Sequence, residues 1–172
     1  MKVEILDIAE KVPHNDRALR IGNILSSDKE IRELFGNRWD RMLMGSFTYL
    51  ITVDNKDTGF INVLHEKDDR SFLVVDMGIK KKYRGKGVGT KAIELLKEKN
   101  INQFIVAETK KENTGAIKSL DNVGIEVAES DECSYYLLQT DRVEEFIDKD
   151  YLVEKVDLAL QVSNIHKKYT KT

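Results

Sequence analysis

The stretch that most constrains this chain is residues 71–96, where an apolar run leads into a basic glycine loop and then an amphipathic segment. The run SFLVVDMGI is apolar apart from one serine and one acid, which is typical of a central strand. Gly85, Gly87 and Gly89 alternate directly before apolar residues at helical spacing. This order of strand, glycine loop and helix favours the binding of an anion at the start of the helix, because the first N–H groups of a helix have no partner within the helix.

Composition and charge exclude several classes of function. A chain of 172 residues suits one domain with one core. The net charge of -2 argues against a dedicated nucleic-acid binder. No apolar run approaches the ~20 residues of a membrane span, and the N-terminus lacks the apolar centre of a signal peptide. We therefore expect a cytoplasmic protein with neither a nucleic-acid nor a membrane partner.

From the number and spacing of cysteines and histidines, we expect neither a metal site nor a disulfide. Cys133 is the only cysteine, and the three histidines are scattered without the spacing of metal ligands. Cys133 as a nucleophile would need a neighbouring histidine, which nothing in the sequence implies. Trp39 could line an acceptor cleft, although a lone tryptophan is more often a core residue.

The hydrophobic pattern of the first half predicts a strand, two helices and a hairpin. The strand falls at residues 2–10, and the helices at 14–35 divide at Ser27, which forms a capping box with Glu30. Two β-rich runs, SFTYLITV and GFINVLHE, flank the turn-forming DNKDT at residues 54–58 and predict an antiparallel pair. The apolar run described above then adds a more central strand.

The second half of the chain completes a mixed α/β fold. Its predicted elements are the helix after the glycine loop, a strand at 102–108, a helix at 113–123 ended by Gly124, and short strands near 125–129 and 134–139. We predict a largely antiparallel central sheet flanked by helices, in a domain of residues 1–140. We expect residues 141–172 to form a mostly helical extension, whose apolar residues either pack back on the domain or form a homodimer contact.

The glycine loop at residues 84–89 does not fit two well-known phosphate-binding motifs. The Walker A loop requires a serine or threonine after its lysine, whereas Lys86 is followed by Gly87. Gly87, Gly89 and Ala92 spell the dinucleotide fingerprint, with Glu108 about 20 residues further on. In that motif, however, the first glycine follows the strand directly, and here KKKYRGK intervenes. A basic turn with glycines for flexibility is the remaining alternative.

The loop RGKGVG, residues 84–89, resembles the acyl-CoA loop Q/R-x-x-G-x-G/A of the GNAT superfamily of N-acetyltransferases. Residues 75–96 resemble the central strand, loop and helix of that family. In ENTGAIKSLDNVGI, Asn113, Ala116 and Gly124 match the later N-x-x-A…G-F segment of the family. Roughly residues 3–139 follow its strand and helix order.

The resemblance implies a binding site for acetyl-CoA as co-substrate. Backbone amides from Gly85 to Thr90 would hold the CoA pyrophosphate, and the lysines and arginine around them would supply a positive field. Family members separate the central strand from the next one and place the pantetheine between them. The implied cofactor-binding residues are Ile79, through its N–H toward the thioester oxygen, Arg84, Gly85, Lys86, Gly87, Val88, Gly89, Thr90 and Asn113 beside the pantetheine arm.

The acceptor implied by the resemblance is an amine, in a small molecule or a protein. A free alkylamine has a pKa near about 10.4, so it must lose a proton before it attacks, and a general base is expected. Asp76, an acid inside an apolar strand, is the first candidate, and Glu108 at the exit of the next strand is the second. Glu66 and His65, at the end of a hairpin strand, are weaker candidates.

One position departs from the family pattern. Many members carry a tyrosine as general acid where this chain has Leu120, and the neighbouring Ser119 is a poor acid. A thiol with a pKa near about 8.5 leaves tolerably as thiolate, so loss of the acid slows the step more than it abolishes it. Tyr135 or Tyr136 could substitute. The expected function is acetyl transfer by direct attack in a ternary complex, and the alternative is a degenerate domain that binds acyl-CoA as sensor or scaffold.

Overall fold

A computed structural model describes residues 1–38, 42–43, 48–66, 72–100 and 104–138. The elements in chain order are β1 (Val3–Asp7), α1 (Ile8–Lys11), α2 (His14–Ser27), α3 (Lys29–Phe35), β2 (Thr48–Val53), β3 (Lys56–Glu66), β4 (Phe72–Ile79), α4 (Val88–Lys99), β5 (Phe104–Lys110), α5 (Thr114–Val123), β6 (Ile125–Glu129) and β7 (Cys133–Leu137). Short 3-10 turns follow α3 at Gly36–Arg38 and β4 at Lys81–Tyr83.

The seven strands form one mixed sheet in the order β1-β2-β3-β4-β5-β7-β6. Neighbours β1 and β2, β2 and β3, β5 and β7, and β6 and β7 run antiparallel. The β4 and β5 strands run parallel. The prediction of a mixed, largely antiparallel sheet flanked by helices is confirmed, and the apolar run at β4 does lie at its centre.

The chain divides into two compact units. The first comprises Met1–Asn62 and Met77–Leu96, and the second comprises Val63–Asp76 and, as far as it is described, residues 97–138. Because residues 139–172 lie outside the described ranges, the predicted 1–140 domain and its helical extension stay predictions.

The β2–β3 hairpin closes through a tighter turn than the sequence pattern predicts. Only Asp54 and Asn55 form it, and their positive φ values of 48° and 63° are those of the two-residue turn that matches strand twist. Val53 already pairs with Lys56, so β3 begins inside the predicted turn segment. The Asp54 carboxylate also accepts the Lys2 amide at 2.8 Å, which fixes the start of β1 beside the turn.

The core of the first unit lies between its helices and its strands. Its buried members are Ile8, Val12, Ile21, Ile24, Leu25, Ile31, Phe35, Met42, Leu50 and Phe60. The rings of Phe35 and Phe60 pack with their centroids 5.9 Å apart. At the rim, the Arg20 guanidinium donates two hydrogen bonds to the Asp57 carboxylate, at 2.9 and 2.6 Å, joining α2 to β3.

The division between α2 and α3 is where the sequence pattern predicts it, but the predicted cap is wrong by one residue. Asp28, not Ser27, is the N-cap of α3, and its carboxylate accepts the Ile31 amide at 3.1 Å. The Ser27 hydroxyl instead donates to the Ile24 carbonyl within the last turn of α2. The capping box with Glu30 therefore does not form, because the first helical residue is Lys29.

Two glycines allow β3 and β4 to approach closely. A Cβ atom on Gly59 would lie 2.0 Å from the Gly78 carbonyl oxygen, and one on Gly78 would lie 2.6 Å from Cε2 of Phe35. The Lys80 amide continues this pairing with a 2.8 Å hydrogen bond to the Thr58 carbonyl. The end of β4, from which the glycine loop departs, is therefore held by a strand on one side and an aromatic ring above it.

In the described part of the second unit, the buried hydrophobic side chains come from adjacent strands and from α5. They are Val75, Ile105, Val106, Ala107, Leu120, Cys133, Tyr135, Tyr136, Leu137 and Leu138. The α5 helix begins at Asn113, whose Oδ1 accepts the Ala116 amide at 3.1 Å. It ends at Gly124, as predicted, where the Gly124 amide donates to the Leu120 carbonyl at 2.8 Å.

The Gly59–Gly78 contact gives a prediction for stability. Gly59→Ala forces β3 away from β4 and should lower the free energy of unfolding by about 3 kcal/mol. Gly36→Ala is the matched control, because Gly36 has φ -58° and a Cβ there would lie 3.7 Å from the Arg32 side chain, an ordinary contact. Urea denaturation followed by circular dichroism measures both variants, and equal midpoints would contradict the prediction.

Candidate functional site

The glycine loop connects β4 to α4 through two successive turns. The amides of Tyr83 and Arg84 donate to the carbonyls of Lys80 and Lys81, at 2.9 and 3.1 Å, and close the 3-10 turn. Residues 84–87 then form the second turn, and α4 begins at Val88. The predicted order of strand, glycine loop and helix is therefore present.

Two of the loop glycines adopt a conformation that other residues rarely take. Gly85 and Gly87 have φ values of +71° and +78°. A Cβ at either position would meet nothing within 4 Å, so backbone conformation and not space requires glycine there. At Gly89, in contrast, a Cβ would lie 3.2 Å from the side chains of Met77 and Ile79. The loop therefore turns through its first two glycines and packs on β4 through the third.

The start of α4 presents backbone donors to an anion. The Lys91 amide donates to the Gly87 carbonyl at 3.0 Å, which closes the first turn of the helix. The amides of Val88, Gly89 and Thr90 precede that bond and have no acceptor one turn earlier within the helix. A Cβ at Gly85 or Gly87 would point into open space, so no side chain or main-chain atom crowds these two positions before the helix. The helix dipole favours negative charge at the same place.

The basic residues around the loop divide into two groups. Lys81, Lys82 and Lys86 are exposed, and the Lys82 ammonium lies 5.0 Å from the centroid of the Tyr83 ring. Arg84, in contrast, is held by the protein itself. Its Nε donates to the Ile79 carbonyl at 2.7 Å, and one terminal nitrogen donates to the Glu30 carboxylate. The positive field of the loop therefore comes from the lysines more than from Arg84.

Asp28 is a residue of this site that the sequence analysis missed. Its side chain is 7% exposed and lies 3.5 Å from an Arg84 terminal nitrogen. It also accepts the Lys81 amide at 2.8 Å. Burial alone would raise the pKa of Asp28, but the amides of Lys81 and Ile31 and the charge of Arg84 hold that pKa below its ordinary value. No pattern in the sequence links this acid to a loop that follows 53 residues later.

The two candidate bases occupy matching positions on neighbouring strands of the second unit. The parallel pairing of β4 with β5 ends at Val75 and Ala107, and Asp76 and Glu108 are the next residues of each strand. Asp76 Oδ1 and Glu108 Oε2 are both buried from solvent. The Cys133 thiol lies 3.8 Å from Glu108 Oε1, a weak hydrogen bond that the sequence analysis did not anticipate. The structure thus places the two acids that the sequence singled out separately at equivalent positions of neighbouring strands.

The remaining residues named in the sequence analysis have local partners or lie outside the described part. The Oδ1 atom of Asn113 caps α5, and the Ser119 hydroxyl donates to the Gly115 carbonyl at 3.1 Å. Leu120 is buried at 6% exposure, so it belongs to the core. Trp39 and the side chains of His65 and Glu66 lie outside the described residues, so the predictions for them stay predictions.

The two tyrosines of β7 are both buried, with Tyr135 opposite Glu108 and Tyr136 opposite Ala107 on β5. Burial, a hydrogen bond to Asp121 and the charge of Glu126 raise the pKa of Tyr136 to about 12. A phenol with such a pKa is a weaker proton donor than an ordinary tyrosine, so Tyr136 is poorly suited to replace the missing general acid.

Known structures define the class of fold. An acetyltransferase from Thermus thermophilus superposes with a TM-score of 0.61 at 12% identity, covering 80% of this chain and 96% of that chain. A spermidine N-acetyltransferase SpeG chimera from Vibrio cholerae and hSSAT gives 0.57 at 15% identity, covering 83% and 99%. RimL, a ribosomal alpha-N-protein acetyltransferase in complex with coenzyme A, gives 0.56 at 11% identity, covering 80% and 93%. The fold is that of the N-acetyltransferases.

The family follows from the sequence itself. The family model described as acetyltransferase (GNAT) domain matches residues 6–126, well over half of the chain. The protein therefore belongs to the GNAT acetyltransferase family, which confirms the resemblance seen in its loop. No curated protein matches by sequence. Among the described residues, no helix is both long and apolar enough to span a membrane.

The raised pKa of Tyr136 gives a prediction for pH dependence. An unfolded tyrosine ionises near 10, so the unfolded state loses its proton first as the pH rises from about 10 to about 12. The stabilisation by protonated Tyr136 is complete below about pH 10 and is lost across this window. The wild type should exceed Tyr136→Phe in free energy of unfolding at about pH 8, and this difference should narrow above about pH 10. Urea denaturation at about pH 8, 10 and 11.5 tests this, and a constant difference would contradict it.

Proposed function

We propose that the protein transfers an acetyl group from acetyl-CoA to an amine, by direct attack of the amine in a ternary complex. The observation that carries this proposal is the glycine loop, with Gly85 and Gly87 at positive φ directly before the first amides of α4. Membership in the GNAT family supports the reaction class. Fold neighbours that act on spermidine or a ribosomal protein's α-amino group support an amine acceptor, but at 15% and 11% identity they do not favour either kind.

The proposed CoA site uses backbone donors for the pyrophosphate and lysines for the surrounding field. The amides from Gly85 to Thr90 would donate to the phosphate oxygens, while the exposed Lys81, Lys82 and Lys86 attract the anionic co-substrate. The Ile79 amide would donate to the thioester oxygen as negative charge develops there. Because Oδ1 of Asn113 caps α5, any hydrogen bond to the pantetheine arm would come from its amide nitrogen.

The proposed chemical step joins the amine nitrogen to the acetyl carbon and breaks the carbon–sulfur bond. The amine first gives a proton to a base, directly or through water, and its lone pair then attacks the thioester carbonyl. Asp76 is the first candidate for this base and Glu108 the second. Both carry a buried carboxylate oxygen, and the pairing of β4 with β5 ends directly before them. CoA leaves as thiolate, without a proton donor at Leu120, and the second proton released by the nitrogen passes to water or to that thiolate.

One observation favours the alternative of a domain that binds acyl-CoA without turnover. Leu120, where many family members carry the general acid, is a buried core residue, and the raised pKa of Tyr136 makes that tyrosine a weak substitute. A sensor or scaffold would keep the CoA loop and could lose the acid. The two functions differ in whether any amine supports release of CoA.

The first test is calorimetric titration of acetyl-CoA into the wild type and Gly87→Glu. The wild type should bind, whereas a glutamate at position 87 strains the positive φ and adds a carboxylate beside the phosphates, so that binding is lost. Gly36→Glu is the matched control, because it makes the same exchange at a helical φ outside the loop. If the wild type binds neither acetyl-CoA, CoA nor a longer acyl-CoA, the proposed function is wrong.

The second test separates an enzyme from a binder. Thiol release from acetyl-CoA is measured with a panel of polyamines, amino sugars, lysine peptides and peptide α-amines. With an accepted amine, Asp76→Asn or Glu108→Gln should lower kcat by about a hundredfold or more, since general-base catalysis contributes that much. Acetyl-CoA affinity should stay unchanged in both.

Glu94→Gln is the control for this experiment, because it removes an exposed carboxylate that pairs with Lys91 on the surface of α4. It should keep wild-type kcat. Full activity in both Asp76→Asn and Glu108→Gln would exclude these acids as the base. Binding of acetyl-CoA without thiol release for any amine would favour the sensor or scaffold.

A further inference from the structure

The carboxylate of Asp28 is shared between a helix and the glycine loop, both within the first unit. Oδ1 accepts the Ile31 amide at 3.1 Å and so caps α3. Oδ2 accepts the Lys81 amide at 2.8 Å, at the start of the 3-10 turn that precedes the loop. Oδ1 therefore caps α3, whereas Oδ2 holds the turn before the glycine loop, so a substitution can remove one of these hydrogen bonds and keep the other.

Arg84 fixes the other end of the same turn. One terminal nitrogen lies 3.5 Å from each oxygen of Asp28, the other donates to Glu30, and Nε donates to the Ile79 carbonyl at 2.7 Å. Because Gly85 follows directly, the last residue before the loop glycines is attached to the start of α3 and to the end of β4. The guanidinium is therefore turned toward carboxylates of the protein itself.

We infer that Asp28 is a positioning residue for acyl-CoA binding, acting through the Lys81 amide and Arg84 on the amides of the glycine loop; this inference rests on the proposed function. Glycines at positive φ allow the loop conformation but do not select it, since glycine loses more conformational freedom on ordering than any other residue. A loop that is ordered before binding loses less entropy when the anion arrives. Asp28 supplies that order from outside the loop.

Asp28→Asn separates the capping of α3 by this residue from its contacts with the loop. Asparagine caps helices about as well as aspartate, so its side-chain oxygen can keep the hydrogen bond from Ile31. Its amide nitrogen then replaces Oδ2 and cannot accept the Lys81 amide, and the negative charge beside Arg84 is gone. The variant should therefore retain α3 while it releases the loop.

The matched control is Asp57→Asn. Asp57 is also a part-buried carboxylate of the first unit bound to an arginine, but its partner is Arg20 on α2 rather than a residue of the loop. Two quantities are measured on the full chain for both variants and the wild type. They are the exchange rates of the Lys81, Tyr83 and Arg84 amides by NMR and the Kd for acetyl-CoA by calorimetry, with thermal unfolding to compare stability.

In Asp28→Asn, the three amides should exchange about tenfold faster and the Kd should rise about tenfold, while the amides of α3 keep their wild-type protection. Asp57→Asn should change neither the exchange rates of these amides nor the Kd, even if it lowers the melting temperature as much as Asp28→Asn does. Faster exchange with an unchanged Kd would overturn the inference, and so would wild-type exchange rates in Asp28→Asn. Absence of acyl-CoA binding by the wild type would instead overturn the proposed function, and the inference with it.

Discussion

The loop between β4 and α4 depends on one carboxylate, that of Asp28, at the junction of α2 and α3. The same side chain begins α3, receives the Lys81 amide and lies beside the Arg84 guanidinium. Each contact stabilises the ionised acid, which is why its pKa stays below the ordinary value although the side chain is buried. The start of a helix and the approach to the glycine loop are thereby joined at one charged group.

The sequence predicts best those parts of the fold that follow from short-range conformational rules. The hairpin turn lies within the predicted DNKDT segment, at Asp54 and Asn55, which tolerate positive φ, although it is shorter than predicted. Gly124 ends α5 where the pattern places it. The central place of β4 in the sheet follows from its apolar character. These features need only the residues themselves and their immediate neighbours.

The candidate site is less accessible to such reasoning because its contacts join distant parts of the chain. Ser27 and Asp28 are both good caps, and the structure selects the one whose second oxygen also accepts a loop amide. Arg84 stands in the loop motif as a phosphate-binding candidate, yet its partners are acids at the start of α3 and a carbonyl of β4. The contact of Cys133 with Glu108 depends likewise on the pairing of β7 with β5. No local pattern encodes these pairs.

A site built from main-chain N–H groups has a consequence for how the protein can vary. Lys86, Val88 and Thr90 would contribute their amides whatever their side chains are, so exchanges among non-glycine, non-proline residues at these positions leave the donors in place. The vulnerable positions are those that set the path of the backbone, namely Gly85, Gly87 and the side chains that anchor the preceding turn. Side-chain exchanges along this loop would therefore leave the proposed anion-binding donors in place, provided that the path of the main chain is kept.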